Sequence, residues 1–387
     1  MSPRDPATGS GPRSEGGGGA DLQRDGRGWP PGRRERLADL LEDEGLESVW
    51  FADPDTFAWA TGGSNLVDRR AAVGEAAVGF DGEWTVVTNG IEAERLRDEE
   101  LPAGATVESY EWHAGSLADA VAEHAETPAG ADFDVPGFDR VDPSPLRTRL
   151  AEADVERYRD LGTDAAAAVE AACRAATSAD REHDVAARVE AELAERGADA
   201  GVVLVGGEER ARRYRHFTPT DAALGGYALV AVTARRDGLY ASTTRTVAFD
   251  PPPWLAGRHE AAATVEATAL AATRAYAQRD GTAADVFGAI RDAYAALGHR
   301  GEWREHHQGG ATGYAGREWL ATPTSEAPLA LPGAYAWNPT VQGAKSEGTA
   351  LVTADGVWFL TTGDWPTAEV SAVGFEATFE RPAVLRR

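Results

Sequence analysis

Two spacings of apolar positions alternate along the chain. Leu37, Leu40 and Leu41 recur on one side of a helical period between Arg34 and Gly45, so an amphipathic helix closed by glycine is expected there. Short β-rich runs follow at 48–52, 76–80 and 84–87, with a helical stretch over 92–98. Strands and helices alternating in this way predict an α/β unit. Asp142-Pro143-Ser144-Pro145 interrupts the pattern and reads as a linker, because the residue before each proline is driven out of helix. Residues 1–33 are rich in Gly, Pro, Arg and Ser and include a run from Gly16 to Gly19. Such a stretch buries too little apolar surface to offset its own ordering and is expected to be disordered. The expected division is a tail over 1–33, an α/β unit over 34–145 and a second unit over 146–387.

The second unit opens on a long helical pattern, 152–176, and then repeats itself. Asp184-Val185 starts a helix with Val189 and Leu193 on one face and Gly197 after it; Asp285-Val286 starts another with Ile290 and Tyr294 at the same offsets and Gly298 after it, 101 residues later. A further helix precedes each copy (152–176 and 256–278), and strand-like sequence follows each. Two copies of helix, helix and strands predict a pseudo-symmetric sheet clasped by helix pairs. Between the copies, β-rich runs at 228–234 and 239–249 are joined by Asp237-Gly238, a strong hairpin signal. A glycine-rich loop at 308–313 and strands at 334–341, 349–352 and 357–361 complete the unit.

Composition narrows the function classes. The chain has 387 residues, 42% of them hydrophobic, which suits two sizeable cores. No apolar run reaches the roughly 18 residues of a membrane-spanning helix. The start of the sequence lacks an apolar signal core, and the Arg33-Arg34 pair is followed by acidic, helix-forming sequence, so a cytoplasmic location is expected. A net charge of −25 and a pI near 4.7 argue against nucleic acid and against an anionic membrane as partners. Lys345 is the only lysine; every other basic residue is arginine. Acidic excess with almost no lysine fits a halophilic chain whose self-repulsion is screened by concentrated salt, and a GC-rich genome would give the same bias. Cys173 stands alone, which excludes an intrachain disulfide and a thiolate metal cluster; it falls in an Ala-rich helical run and reads as a small core residue.

Several segments together carry a family resemblance. Gly238 to Val247 (GLYASTTRTV) resembles the G-Y-x-S-D-x-T-R-T-F segment of Xaa-Pro aminopeptidases, prolidases and creatinases. Upstream, Arg215 to Leu224 (RHFTPTDAAL) is similar to their H-x-x-P-[ST] segment. Downstream, Gly309 to Glu318 (GGATGYAGRE) stands where the family has G-H-x-x-G-x-x-x-H-E, Trp337-Asn338-Pro339 where it has E-P, and Lys345 to Thr353 (KSEGTALVT) where it has x-x-E-[DN]-x-x-x-V-T. All occur in family order over about residues 150–365. The resemblance, which extends to methionine aminopeptidases, implies an α+β architecture: a C-terminal pita-bread domain, with pseudo-twofold helix pairs on a curved antiparallel sheet, behind a smaller α/β N-terminal domain of the creatinase type. It also implies a homodimer.

The resemblance implies a two-metal site of two hairpin aspartates, one histidine and two glutamates. Here those positions hold Ala231, Ser242, Gly310, Asn338 and Glu347. Ala and Gly offer no side-chain donor, Ser and Asn only weak neutral ones, and one carboxylate cannot bridge and neutralise two divalent ions. No metal and no cofactor are therefore expected, and the chain is read as a degenerate member. Creatinase is the family's metal-free precedent, working with a histidine and acidic side chains. By that analogy His216 and Glu347 are the candidate catalytic groups. Arg213, Arg215, Arg245, His306, His307, Asn338 and Glu318 are the candidate substrate-binding groups, the arginines because their forks suit carboxylate or phosphate. The expected function is metal-independent hydrolysis of a C–N bond in a small anionic or zwitterionic molecule or short peptide. The alternative is an inactive pseudopeptidase that binds a small molecule, peptide or protein.

Overall fold

The computed structural model describes residues 28–387. Most of the stretch expected to be a disordered tail, residues 1–27, lies outside them. Arg33, the last residue of that stretch, is buried and opens the helix Arg33–Glu44, which Gly45 closes in the left-handed conformation at φ 67°.

Six strands build the first sheet: β1 (Ser48–Phe51), β2 (Ala76–Phe80), β3 (Trp84–Asn89), β4 (Thr106–Tyr110), β5 (Ala129–Ala131) and β6 (Asp139–Arg140), in the order β4-β3-β2-β1-β5-β6. β1, β2 and β3 pair antiparallel, and the remaining contacts are parallel. The helix Pro54–Thr61 follows β1. Asp53 caps it by accepting the N–H groups of Asp55 and Thr56, and a proline occupies its first turn, where no donor is needed.

The second sheet is palindromic. Seven of its nine strands are β7 (Asp199–Gly207), β8 (Tyr227–Arg236), β9 (Leu239–Ala248), β10 (Gly309–Thr312), β11 (Trp319–Leu320), β12 (Gly333–Trp337) and, after the small ribbon β13 (Thr340–Val341) and β14 (Ala344–Lys345), β15 (Gly348–Val352); Val357–Phe359 adds to β15 and Leu385–Arg386 to β9. The order of the seven is β11-β10-β12-β15-β9-β8-β7, all antiparallel, and the two halves meet where Gly348 faces Thr243. The helices Glu152–Ala175 and Glu182–Glu195 pack on the β7–β9 half; Leu255–Ala277 and Ala283–Ala296 pack on the other. The duplicated aspartates explain the repeat. Asp184 and Asp285 each sit three residues into a helix and accept the backbone N–H at its start, from Arg181 and Thr282. This is the pita-bread arrangement that the resemblance implies.

Two local expectations are corrected. The glycine-rich stretch 308–313 contains a strand, β10, between β11 and β12. A Cβ on Gly309 would lie 2.2 Å from the carbonyl oxygen of Ala336, and one on Gly310 2.1 Å from that of Trp319. The glycines therefore mark close backbone approach inside a sheet. The strand expected over 334–341 ends at Trp337, because Asn338-Pro339 breaks the ladder.

Candidate functional site

The hairpin β8–β9 lays the floor. Asp237 (φ 51°) and Gly238 (φ 78°) both take positive φ, so their two-residue turn matches the twist of the strands and fixes the register. Ala231 then faces Thr244 and Thr233 faces Ser242, which puts all four on one face. Ala231 and Thr233 line a cavity of about 650 Å³. Ser242 lies behind Thr233, the two hydroxyl oxygens 2.9 Å apart. Asp55 at the start of its helix ties the first unit to this wall: it accepts Arg235 at 2.6 Å and the Tyr240 hydroxyl at 2.8 Å.

The cavity is cationic. Five basic side chains border it, Arg69, Arg70, Arg235, Arg317 and Lys345; Asp199 pairs with Arg69, Asp55 with Arg235, and Glu347 with both Arg317 and Lys345, which leaves a surplus of two positive charges. Glu347 is buried and bracketed. Lys345 Nζ lies 2.9 Å from one oxygen and Arg317 Nη2 3.1 Å from the other, and the Thr244 hydroxyl donates at 2.8 Å. Burial alone would raise its pKa, but Lys345 and then Arg317 outweigh that and hold it at about 2. Glu347 is thus a fixed anion, with no proton to give near neutral pH.

Three histidines meet at one side. His216 sits in the loop after the helix Glu208–Arg213; His306 and His307 lie just before β10. The Nε2 atoms of His216 and His306 are 3.1 Å apart, and the rings of His306 and His307 stack at 4.3 Å. Two contacts brace the cluster. Arg215 pairs with Glu302 at 2.7 Å, which ties the two histidine-bearing segments together. The buried Gln308 amide donates to the His306 carbonyl and accepts the Tyr294 hydroxyl. Burial, with Lys345 next, pushes the His306 pKa down to about 2; burial, with Arg317 and Lys345 next, pushes that of His307 to about 4. Burial and Lys345 also lower that of His216. All three rings are neutral at physiological pH.

The structure gathers His216, His307, Asn338 and Glu347 at the cavity, with His306 directly behind. Asn338 leaves its Oδ1 without a partner among the described residues. The other candidates lie elsewhere. Arg213 is exposed and pairs with Glu209. Arg215 is committed to Glu302. Arg245 is buried against Glu170 at 2.7 Å and reaches Thr243 and the Thr361 carbonyl, which makes it a core brace. Glu318 is buried and pairs with Arg147 at 2.9 Å. Sequence reasoning assigned no role to Arg317 or Lys345, and counted Arg235 only within a local run of arginines suited to an anionic substrate. A signal existed for two of them: Arg317 stands at the family's second histidine, and Lys345 is the sole lysine.

Residues 156–354 match the sequence profile of metallopeptidase family M24. The chain belongs to that family. No curated protein matches it in sequence. Among solved structures, the prolidase from Pyrococcus horikoshii OT3 superposes with TM-score 0.72 at 19% identity, over 86% of this chain and 98% of that one. The X-Pro aminopeptidase from Thermotoga maritima MSB8 gives 0.70 at 15% identity, over 92% and 99%. The N-terminal domain of the FACT complex subunit SPT16 from Cicer arietinum gives 0.61 at 11% identity, over 85% and 95%.

The residues present do not fit the paired metal ions implied by M24 membership. Four of the five positions lack a carboxylate or imidazole, and a side chain on Gly310 would collide with the Trp319 backbone. Glu347, the fifth, already has an oxygen on each of two cations. A divalent ion there would face Lys345 and Arg317 at close range.

Proposed function

We propose that this M24 member binds a small anionic or zwitterionic molecule or a short peptide, and hydrolyses a C–N bond in it without the family's paired metal ions. The carrying observation is the cation surplus at the cavity wall in a chain of net charge −25. Lys345 and Arg317, oriented by Glu347, suit a substrate carboxylate. Asn338, with its free oxygen, suits an amide or ammonium group. The neutral histidine cluster, with His216 open to the cavity, suits activation of water. A homodimer belongs to the same reading.

The test is a panel of dipeptides, N-acyl amino acids and guanidino acids assayed for amine release. With any substrate found, His216→Ala is expected to lower kcat by about 10²- to 10⁴-fold. Lys345→Met is expected to act mainly on KM, by about 10- to 100-fold, the worth of a charge-assisted hydrogen bond. Unchanged turnover in His216→Ala sinks the mechanism.

A second reading has its own support. The one retained ligand position, Glu347, is sealed by two cations, and the fold also occurs in the N-terminal domain of a FACT complex subunit. Saturable binding from the same panel without turnover of any member would favour a binding module.

A further inference from the structure

We propose that His216, His306 and His307 bind a single divalent transition-metal ion, zinc by preference, at a site distinct from all five positions of the family's metal pair. The inference deepens the proposed function, since the site opens on the same cavity, and it rests on that reading only for what occupies the ion's open position.

Geometry carries the argument. Two nitrogens bound to tetrahedral zinc at about 2.0–2.1 Å stand about 3.3–3.4 Å apart. His216 Nε2 and His306 Nε2 are already 3.1 Å apart, and one ring nitrogen from each of the three histidines lies within 4.8 Å of the others. Small side-chain rotations would complete the set. The preceding ion pair and the Gln308 brace hold the backbone segments in place, so little further ordering is needed.

The cluster is hard to explain as a structural feature. His306 is 7% exposed, and its Nδ1 has no partner among the described residues; the buried Nδ1 of His307 also lacks one. Orphaned buried polar atoms each cost about 1–3 kcal/mol. One N–H can bridge His216 and His306, and this leaves the His307 Nδ1 without a partner among the described residues. A metal ion held by the Nε2 atoms of His216 and His306 replaces the single proton that those two rings now share and can take the unpartnered Nδ1 of His307 as its third ligand.

The donor set also selects the ion. Three imidazoles suit zinc, copper, nickel or iron and disfavour magnesium and calcium, which want oxygen. Three protein ligands leave a fourth position, and His216 and His307 line the cavity, so that position faces substrate. Lys345 and Arg317 act on the same rings and repel any ion held there, so the open position takes an anion, either hydroxide or a substrate carboxylate, that offsets this repulsion, and a second cation is disfavoured.

The test needs no substrate. The full chain is stripped with chelator, dialysed against zinc or cobalt(II), and assayed for bound metal, for the visible bands of tetrahedral cobalt and for the thermal midpoint. One ion per chain is expected, with a raised midpoint. His216→Ala, exposed and so expected to fold, should weaken binding by more than about 100-fold, beyond the 10–100-fold that losing a second-shell partner costs. His306→Gln and His307→Gln should do the same, and exposed His183→Ala should not. No saturable ion, two ions per chain, or one ion retained by His216→Ala and His306→Gln overturns the site. Binding without turnover of any substrate supports the site while counting against the hydrolase; turnover by a protein that takes up no saturable ion overturns the site and leaves the hydrolase standing.

Discussion

At the scale of single residues, the chain places ionisable groups where burial decides their charge. Asp132 is the clearest case outside the cavity. Its Oδ1 accepts the N–H groups of Ala52 and Asp53 at 2.8 and 3.2 Å, and its Oδ2 has no partner among the described residues. Burial raises its pKa to about 6, against the pull of those two hydrogen bonds. The native state then holds a proton that the unfolded chain has released between about pH 4 and 6, so stability falls as pH rises through that window. The full loss, reached above pH 6, is about 3 kcal/mol. Urea midpoints measured across this range should show the slope, and Asp132→Asn should flatten it. Cys173 obeys the same rule: burial raises its thiol pKa to about 12 and leaves it inert, as the sequence suggested.

At the scale of elements, the β8–β9 turn both sets the register of the cavity floor and supports the first unit. A Cβ on Gly238 would lie 2.6 Å from the Ala58 Cβ on the helix Pro54–Thr61 and 3.0 Å from the Tyr314 ring. Gly238→Ala should therefore add overpacking to left-handed strain and cost about 2–4 kcal/mol. Gly82 (φ 104°) has open space around it, so Gly82→Ala should show the smaller loss due to strain alone. Thermal unfolding of the two variants separates the contributions. The hairpin was legible in advance because Asp-Gly between two β-rich runs is a local signal. β10 was not, because its glycines answer to Ala336 and Trp319, which are distant in sequence.

At the scale of the whole molecule, net charge dominates. A charge of −25 on one chain repels itself, and salt screens that repulsion over a Debye length of about 3 Å at 1 M against about 10 Å at 0.1 M. The thermal midpoint should rise steadily from about 0.1 M to about 2 M KCl. A flat curve would remove the halophilic reading and leave codon bias as the source of the arginine-for-lysine pattern. Among the described residues no helix is long and apolar enough to cross a membrane.

The sequence by itself determined the fold and the residue types at the five positions that the family resemblance assigns to the paired metal ions. Both depend on residue type at fixed spacing: duplicated aspartate starts, an Asp-Gly turn, and motifs in family order. Tertiary structure decided which polar groups face the cavity. Arg245 and Glu318 carry the charge of binding residues, yet each is spent on a buried partner, Glu170 and Arg147, from a remote helix or loop. Arg317, Lys345 and Glu347 became one unit, and His216 met His306 across 90 residues of chain. Such pairings depend on three-dimensional distance, which spacing along the chain does not encode.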